Sequence, residues 1–219
     1  MHVISVPTLL ELECMEQHQT MVGRNLVQEW MPSMIGRVIF VSHEWLGWMH
    51  ADPNGEQLYT LKRILQRLVQ GKVPKVESYW AQQLALKQNT VVDAGQWKAA
   101  LPHMFVWFDF MSIPQLGARG TEADIVDSFE SDQIHTVAEQ KLAEQLKYSV
   151  ESIPAYIERT TLLLVLVPVC MHQDRREVCN FASWRRRGWC RLELQAALLK
   201  CGTLHIMVCT GPVSYTHLR

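Results

Sequence analysis

The chain has 219 residues, of which 48% are apolar and 20% charged, and its 21 Lys and Arg against 22 Asp and Glu give a formal net charge of −1. That length and composition suit one large domain with its own core and exclude disordered, collagen-like and low-complexity classes. The near-neutral balance offers no general field for nucleic acid or an anionic membrane, and the longest apolar run, Leu162 to Cys170, is too short to cross a bilayer.

In chain order, Val6-Pro7-Thr8 opens a predicted helix running to about Thr20, so residues 1–34 read as an N-terminal helical extension. Arg37 to His43 reads as a short buried strand ending in polar residues. The turn-rich segment His50 to Gly55 precedes a helix whose Leu58, Leu61, Ile64, Leu65 and Leu68 recur at helical spacing, stopped by Gly71. Residues 72–103 form an insertion, helical around 78–88. Phe105 to Asp109 is the second strand. Residues 116–148 form a second insertion, an acidic surface loop over 117–132 followed by a helix over 133–148, and a further helix spans Ile153 to Arg159. Leu162 to Val167 is apolar on both faces, as a central parallel strand should be. A polar loop over 171–187 leads to a helix from Trp189 to Lys200, and Leu204 to Cys209 is the fourth strand. Strands alternating with helices predict a doubly wound α/β sheet over 35–210, with the four strands parallel in the order second, first, third, fourth.

The last residues need separate treatment. Val213 to Arg219 resembles the translation of a transposon-end adapter used in sequencing libraries. Residues 211–219 are therefore expected to be an artefactual tail on a domain truncated at its C-terminus. Met1 to Glu16 has acidic residues and no basic n-region, so no secretory signal is expected. Six cysteines without a close CxxC pair predict a reduced, cytoplasmic protein.

Ligands of such sheets bind outside the carboxyl ends of the strands, which directs attention to Ser42, His43, Glu44 and Trp45, to residues 109–115, and to the start of the Trp189 helix. No GxGxxG, GxxxxGK[ST] or GxSxG motif occurs, so dinucleotide-binding, P-loop and α/β-hydrolase readings lose their usual support. Cys170, His172, Cys179 and Cys190 have no common zinc spacing, and no metal is expected. Arg175, Arg176, Arg185, Arg186, Arg187 and Arg191 form a basic cluster that reads either as a phosphate contact or as a solvated loop.

Val38-Ile39-Phe40-Val41-Ser42-His43 resembles the first box of TIR (Toll/interleukin receptor) domains, and Trp189-Cys190-Arg191-Leu192-Glu193-Leu194 resembles the Trp-Cys-x-x-Glu-Leu helix start of plant-type TIR domains. The resemblance covers roughly residues 35–209 and departs from the family at Val38 and at Arg187-Gly188. It is to a divergent TIR-like group of protist type, with flavodoxin-like strand order. It implies cleavage of the nicotinamide–ribose bond of NAD, with Glu193 as the catalytic carboxylate, NAD as substrate and no cofactor. A carboxylate suits that chemistry because the breaking bond builds an oxocarbenium-like cation. Ser42, His43, Trp45, Asp109 and Trp189 are the expected substrate-binding residues. Trp189 stands one turn before Glu193 and is expected on the same helical face. Two other readings stay open: a non-catalytic TIR-type signalling module that self-associates through its surfaces, and a nucleoside N-glycosidase or deoxyribosyltransferase-like enzyme.

Overall fold

The computed structural model describes residues 1–77, 91–115, 137–200, 204–211 and 214–217. In chain order these form β1 (His2–Ser5), α1 (Val6–Glu11), α2 (His18–Gly23), β2 (Gln28–Glu29), β3 (Val38–His43), α3 (Glu56–Val69), β4 (Lys75–Glu77) and β5 (Val91–Asp93). There follow α4 (Ala94–Ala100), β6 (Phe105–Phe108), α5 (Asp109–Ser112), α6 (Val137–Glu151), α7 (Ile153–Glu158) and β7 (Leu162–Leu166). The chain continues through β8 (Cys170–Met171), β9 (Val178–Cys179), α8 (Phe181–Trp184), α9 (Gly188–Leu199), β10 (His205–Gly211) and β11 (Ser214–His217).

The main sheet has the order β11-β10-β7-β3-β6-β1-β2. Its four central strands are parallel, with Phe40 opposite Trp107 and Leu163, and Met207 opposite Leu164. This is an α/β domain. Both faces of the sheet are covered, which is why its strands are nearly continuous apolar runs. Alternate residues divide between two cores. Ile39, Val41, Phe108, Leu164 and Met207 pack with Leu58, Leu61, Ile64 and Leu65 of α3. Val38, Phe40, Trp107, Leu163, Val165 and Val208 pack with Ile157 of α7, Trp184 of α8 and Cys190 and Ala197 of α9. Gly71, at φ 68°, stops α3: its N–H donates to Leu68 O and that of Lys72 to Arg67 O, a Schellman closure needing a left-handed residue.

Residues 1–34 are not a helical extension. β1 pairs antiparallel with β6 and with β2, so the segment adds two strands to the sheet. The predicted single helix is also two, α1 and α2, since Leu12 leaves α1 in extended conformation. Buried, apolar Val3 and Ile4 fit a strand between β6 and β2, and the spacing of Leu9, Leu10 and Leu12 alone could not reveal those neighbours. Residues 214–217, within the expected artefactual tail, pair antiparallel with β10. Within 72–103 the described residues form the β4–β5 ribbon and α4. The helix expected around 78–88 and the loop expected over 117–132 lie outside the described residues. No helix among the described residues is long and apolar enough to cross a membrane.

Candidate active site

From β3 the chain goes out to β6 on one side and returns to β7 on the other. The carboxyl ends of β3 and β7 therefore flank the point where winding reverses, the usual location of a ligand crevice in an open α/β sheet. Ser42 and His43 end β3, Asp109 follows β6 directly, and α9 carries Glu193.

Glu193 is 8% exposed. It lies on the inward face of α9, where Cys190, Glu193 and Ala197 follow at intervals of three and four. The hydroxyl of Ser42 donates to Glu193 Oε2, and Trp184 Nε1 donates to Ser42 Oγ at 3.0 Å. A hydrogen-bond chain thus runs from an indole through a hydroxyl to a carboxyl group. Burial pushes the Glu193 carboxyl up to about 8; the Ser42 hydrogen bond opposes that, the negative charge of Asp109 adds to it, and His43 pulls it back. Near neutral pH Glu193 is chiefly a neutral acid.

His43 belongs to a second network. Gln57 Nε2 donates to Glu44 O at 2.7 Å, which fixes the amide so that Gln57 Oε1 faces His43 Nδ1 at 2.8 Å and accepts from it. On the other side, His43 Nε2 lies 2.7 Å from Asp109 Oδ1. Burial would lower the His43 pKa, but the Asp109 charge and these hydrogen bonds outweigh it and raise the value. Burial would raise Asp109, yet the His43 charge and hydrogen bonds from His43, Trp45 Nε1 (2.7 Å) and the Phe110 N–H (2.6 Å) hold it below the usual carboxylate range. His43 and Asp109 form an imidazolium–carboxylate pair. Two carboxyl groups in one site are thereby driven in opposite directions, an arrangement that separates acid from base roles.

Of the residues singled out in the sequence, Ser42, His43, Trp45, Asp109 and Glu193 are linked through these two networks. Trp45 spends its indole N–H on Asp109 and meets Phe110 edge-on at 5.6 Å, so it acts here as support for the carboxylate. Trp189 is the exception. It stands near Glu193 on α9 but is 54% exposed, at the margin of the buried arc. The inward arc of α9 is centred near Cys190 and Ala197, and a residue one position before Cys190 falls outside it. The indole that reaches the Ser42–Glu193 network belongs to Trp184.

Sequence reasoning passed over Trp184, Gln57 and Ser183, and named Cys190 only within the Trp-Cys motif and a zinc spacing it set aside. Cys190 Sγ donates to His43 O at 3.4 Å, and Ser183 Oγ donates to Glu44 Oε2 at 2.6 Å. Gln57 had a visible signal, being a polar residue on the same stripe as Leu61 and Ile64. Trp184 and Ser183 had none, because a short helix inside a charged loop has no period to read. No group of three or more His, Cys, Asp or Glu among the described residues is placed to hold a metal ion. No protein-family model, no curated protein and no solved structure matches the chain.

Proposed function

We propose that this chain is a TIR-like domain of flavodoxin-like strand order that hydrolyses the nicotinamide–ribose bond of NAD, with Glu193 as its catalytic carboxylate. The observation that carries the reading is the burial of Glu193 at the carboxyl ends of β3 and β7, held by Ser42 beside the His43–Asp109 pair. A carboxyl group raised by burial is poised to lose its proton when a cationic ring enters the site. Ser42 occupies Oε2, which leaves Oε1 to meet the ribose.

In the reaction the C1–N bond breaks and its electron pair moves to the ring nitrogen, so nicotinamide departs neutral. The Glu193 carboxylate stabilises the positive charge that grows on C1 and the ring oxygen. Water then adds to C1, and its proton passes to Glu193 and on to solvent. The fixed Asp109–His43 pair keeps the β3 and β6 ends in register around this group. The free thiols at Cys170, Cys179, Cys190 and Cys209 fit a reducing, cytoplasmic setting.

The test is nicotinamide release from NAD by the full chain, with Glu193→Gln alongside and folding followed by circular dichroism. The reading expects wild-type release and a loss of about 10²–10³-fold in a folded variant. Equal turnover in Glu193→Gln would remove Glu193 from the mechanism, and release of base from nucleosides but not from NAD would favour the nucleoside N-glycosidase alternative. A second reading, a non-catalytic interaction module that self-associates, is favoured by one observation: Trp189, Leu192 and Leu199 expose an apolar stripe on α9. No turnover, together with self-association abolished by Leu192→Glu, would select it.

A further inference from the structure

We propose that Cys170 and Cys179 form an oxidation site, a dithiol that closes to an intrachain disulfide across the β8–β9 hairpin. The two residues are direct cross-strand partners in an antiparallel pair. Such partners stand about 4.5–5.5 Å apart at Cα, inside the range of about 4.4–6.8 Å that a disulfide spans. Opposed residues also share a face. Met171 and Val178, the neighbouring pair, are exposed, whereas Cys170 and Cys179 are both buried against Leu46. The two thiols therefore meet on the inner side of the hairpin.

The hairpin is already closed around them. His172 N donates to Glu177 O at 2.8 Å, Arg176 N donates to His172 O at 2.9 Å, and His172 Nδ1 accepts from the N–H groups of Asp174 and Arg175. Gln173 N donates to Leu46 O and Trp48 N to Asp174 Oδ2, which ties the hairpin to the chain leaving β3. Directly after Cys179, Asn180 caps α8, whose Ser183 and Trp184 reach Glu44 and Ser42. A bridge between Cys170 and Cys179 clamps the segment that delivers these two side chains to the site.

The exchange needs a small-molecule disulfide such as oxidised glutathione. One thiolate attacks a glutathione sulfur and expels one glutathione thiol; the second thiolate then attacks the mixed disulfide and expels the other. Two protein thiols lose two electrons and two protons, and the glutathione disulfide is reduced to two thiols. Burial and Glu44 push the Cys179 thiol up to about 11, and burial, Glu56 and Asp52 push that of Cys170 up to about 12. Both thiols stay protonated while the hairpin is shut, so exchange proceeds through its opening and is slow.

The experiment incubates the full chain with oxidised glutathione, blocks remaining thiols, digests with trypsin and reads the peptides by mass. Arg175 and Arg176 lie between the two cysteines, so cleavage there leaves two peptides joined only through the new bond. The expected result is that linked pair, with a melting temperature about 5–10 °C higher that returns on reduction and is absent from Cys179→Ser. The exposed Cys14 serves as the internal control for oxidation. Glutathione on Cys14 with Cys170 and Cys179 both blocked as free thiols would overturn the proposal. So would bridges from either residue to another cysteine. The reading of Glu193 does not enter the measurement.

Discussion

Ser42 and Glu193, 151 positions apart, share a buried hydrogen bond that joins the carboxyl end of β3 to the inner face of α9. The same hydroxyl accepts from Trp184, so three elements converge on one oxygen. A serine suits this position because its single oxygen can donate to a carboxylate while accepting from an indole. If Glu193 is protonated, the serine oxygen still has a lone pair to accept from it. The contact therefore survives a change in the charge of Glu193.

Ser42→Ala removes that oxygen and leaves a buried indole N–H and a buried carboxyl without their partner. The expected cost is about 1–3 kcal/mol, measured by denaturant unfolding. The Glu193 pKa should also move further up, because the lost hydrogen bond is the one that opposes the effect of burial. A carboxyl resonance of Glu193 that titrates lower in Ser42→Ala than in the wild type would refute this account.

Glu193 also sets a pH dependence of stability. Its pKa is about 8 in the folded protein against 4.5 ordinarily, so between these values the folded state holds a proton that the unfolded chain has released. Stability then falls as pH rises through this window, by up to about 1.4 kcal/mol per unit for this one group. Glu193→Gln keeps the shape and removes the ionisation. Relative to the wild type, the variant should gain stability from pH 5 to pH 8, read from unfolding midpoints. A parallel pair of curves would show that the buried carboxyl does not titrate as described.

The His43–Asp109 pair responds with the opposite sign on its acid side. Asp109 is depressed, so its contribution is present above its ordinary pKa and is lost as pH falls through the lower folded value. His43 is raised, so its contribution is complete below its ordinary pKa and is lost as pH rises through the higher folded value. Asp109→Asn removes the charge that supports the imidazolium. The expected outcome is a fall in the His43 pKa, followed by NMR of its ring protons, with destabilisation of about 2–4 kcal/mol. A His43 titration unmoved by Asp109→Asn would mean that the pair is not ionic.

Much of this site was legible because strands and their ends carry strong signals. The runs Val38 to His43, Phe105 to Phe108 and Leu162 to Leu166 are apolar on both faces, and polar residues mark where the first two reach the crevice. Ser42, His43 and Asp109 followed from that alone. Glu193 followed from the Trp-Cys-x-x-Glu-Leu resemblance, and its burial follows from sharing a face with Cys190 and Ala197. The N-terminal strands were not legible. β1 is four residues long and runs straight into a helix, and what makes it a strand is the free edge of β6, which lies a hundred residues away. The exposure of Trp189 was not legible for a related reason. Spacing of four places two residues near each other on a helix, but it does not say which arc of that helix faces the sheet.

That ambiguity yields the last prediction, which separates the two indoles. Trp184 is fully buried, stacks on Phe181 at 5.7 Å and donates to Ser42. Trp184→Phe keeps the ring in the core and deletes the N–H, so the loss should combine a smaller packing volume with an unpartnered lone pair on Ser42. About 1–3 kcal/mol is expected. Trp189 is more than half exposed at the margin of the buried arc of α9, and Trp189→Ala should change stability by no more than about 0.5 kcal/mol. Chemical denaturation of the two variants in one buffer decides between the placements. A large loss for Trp189→Ala with little change for Trp184→Phe would reverse the assignment of the buried indole.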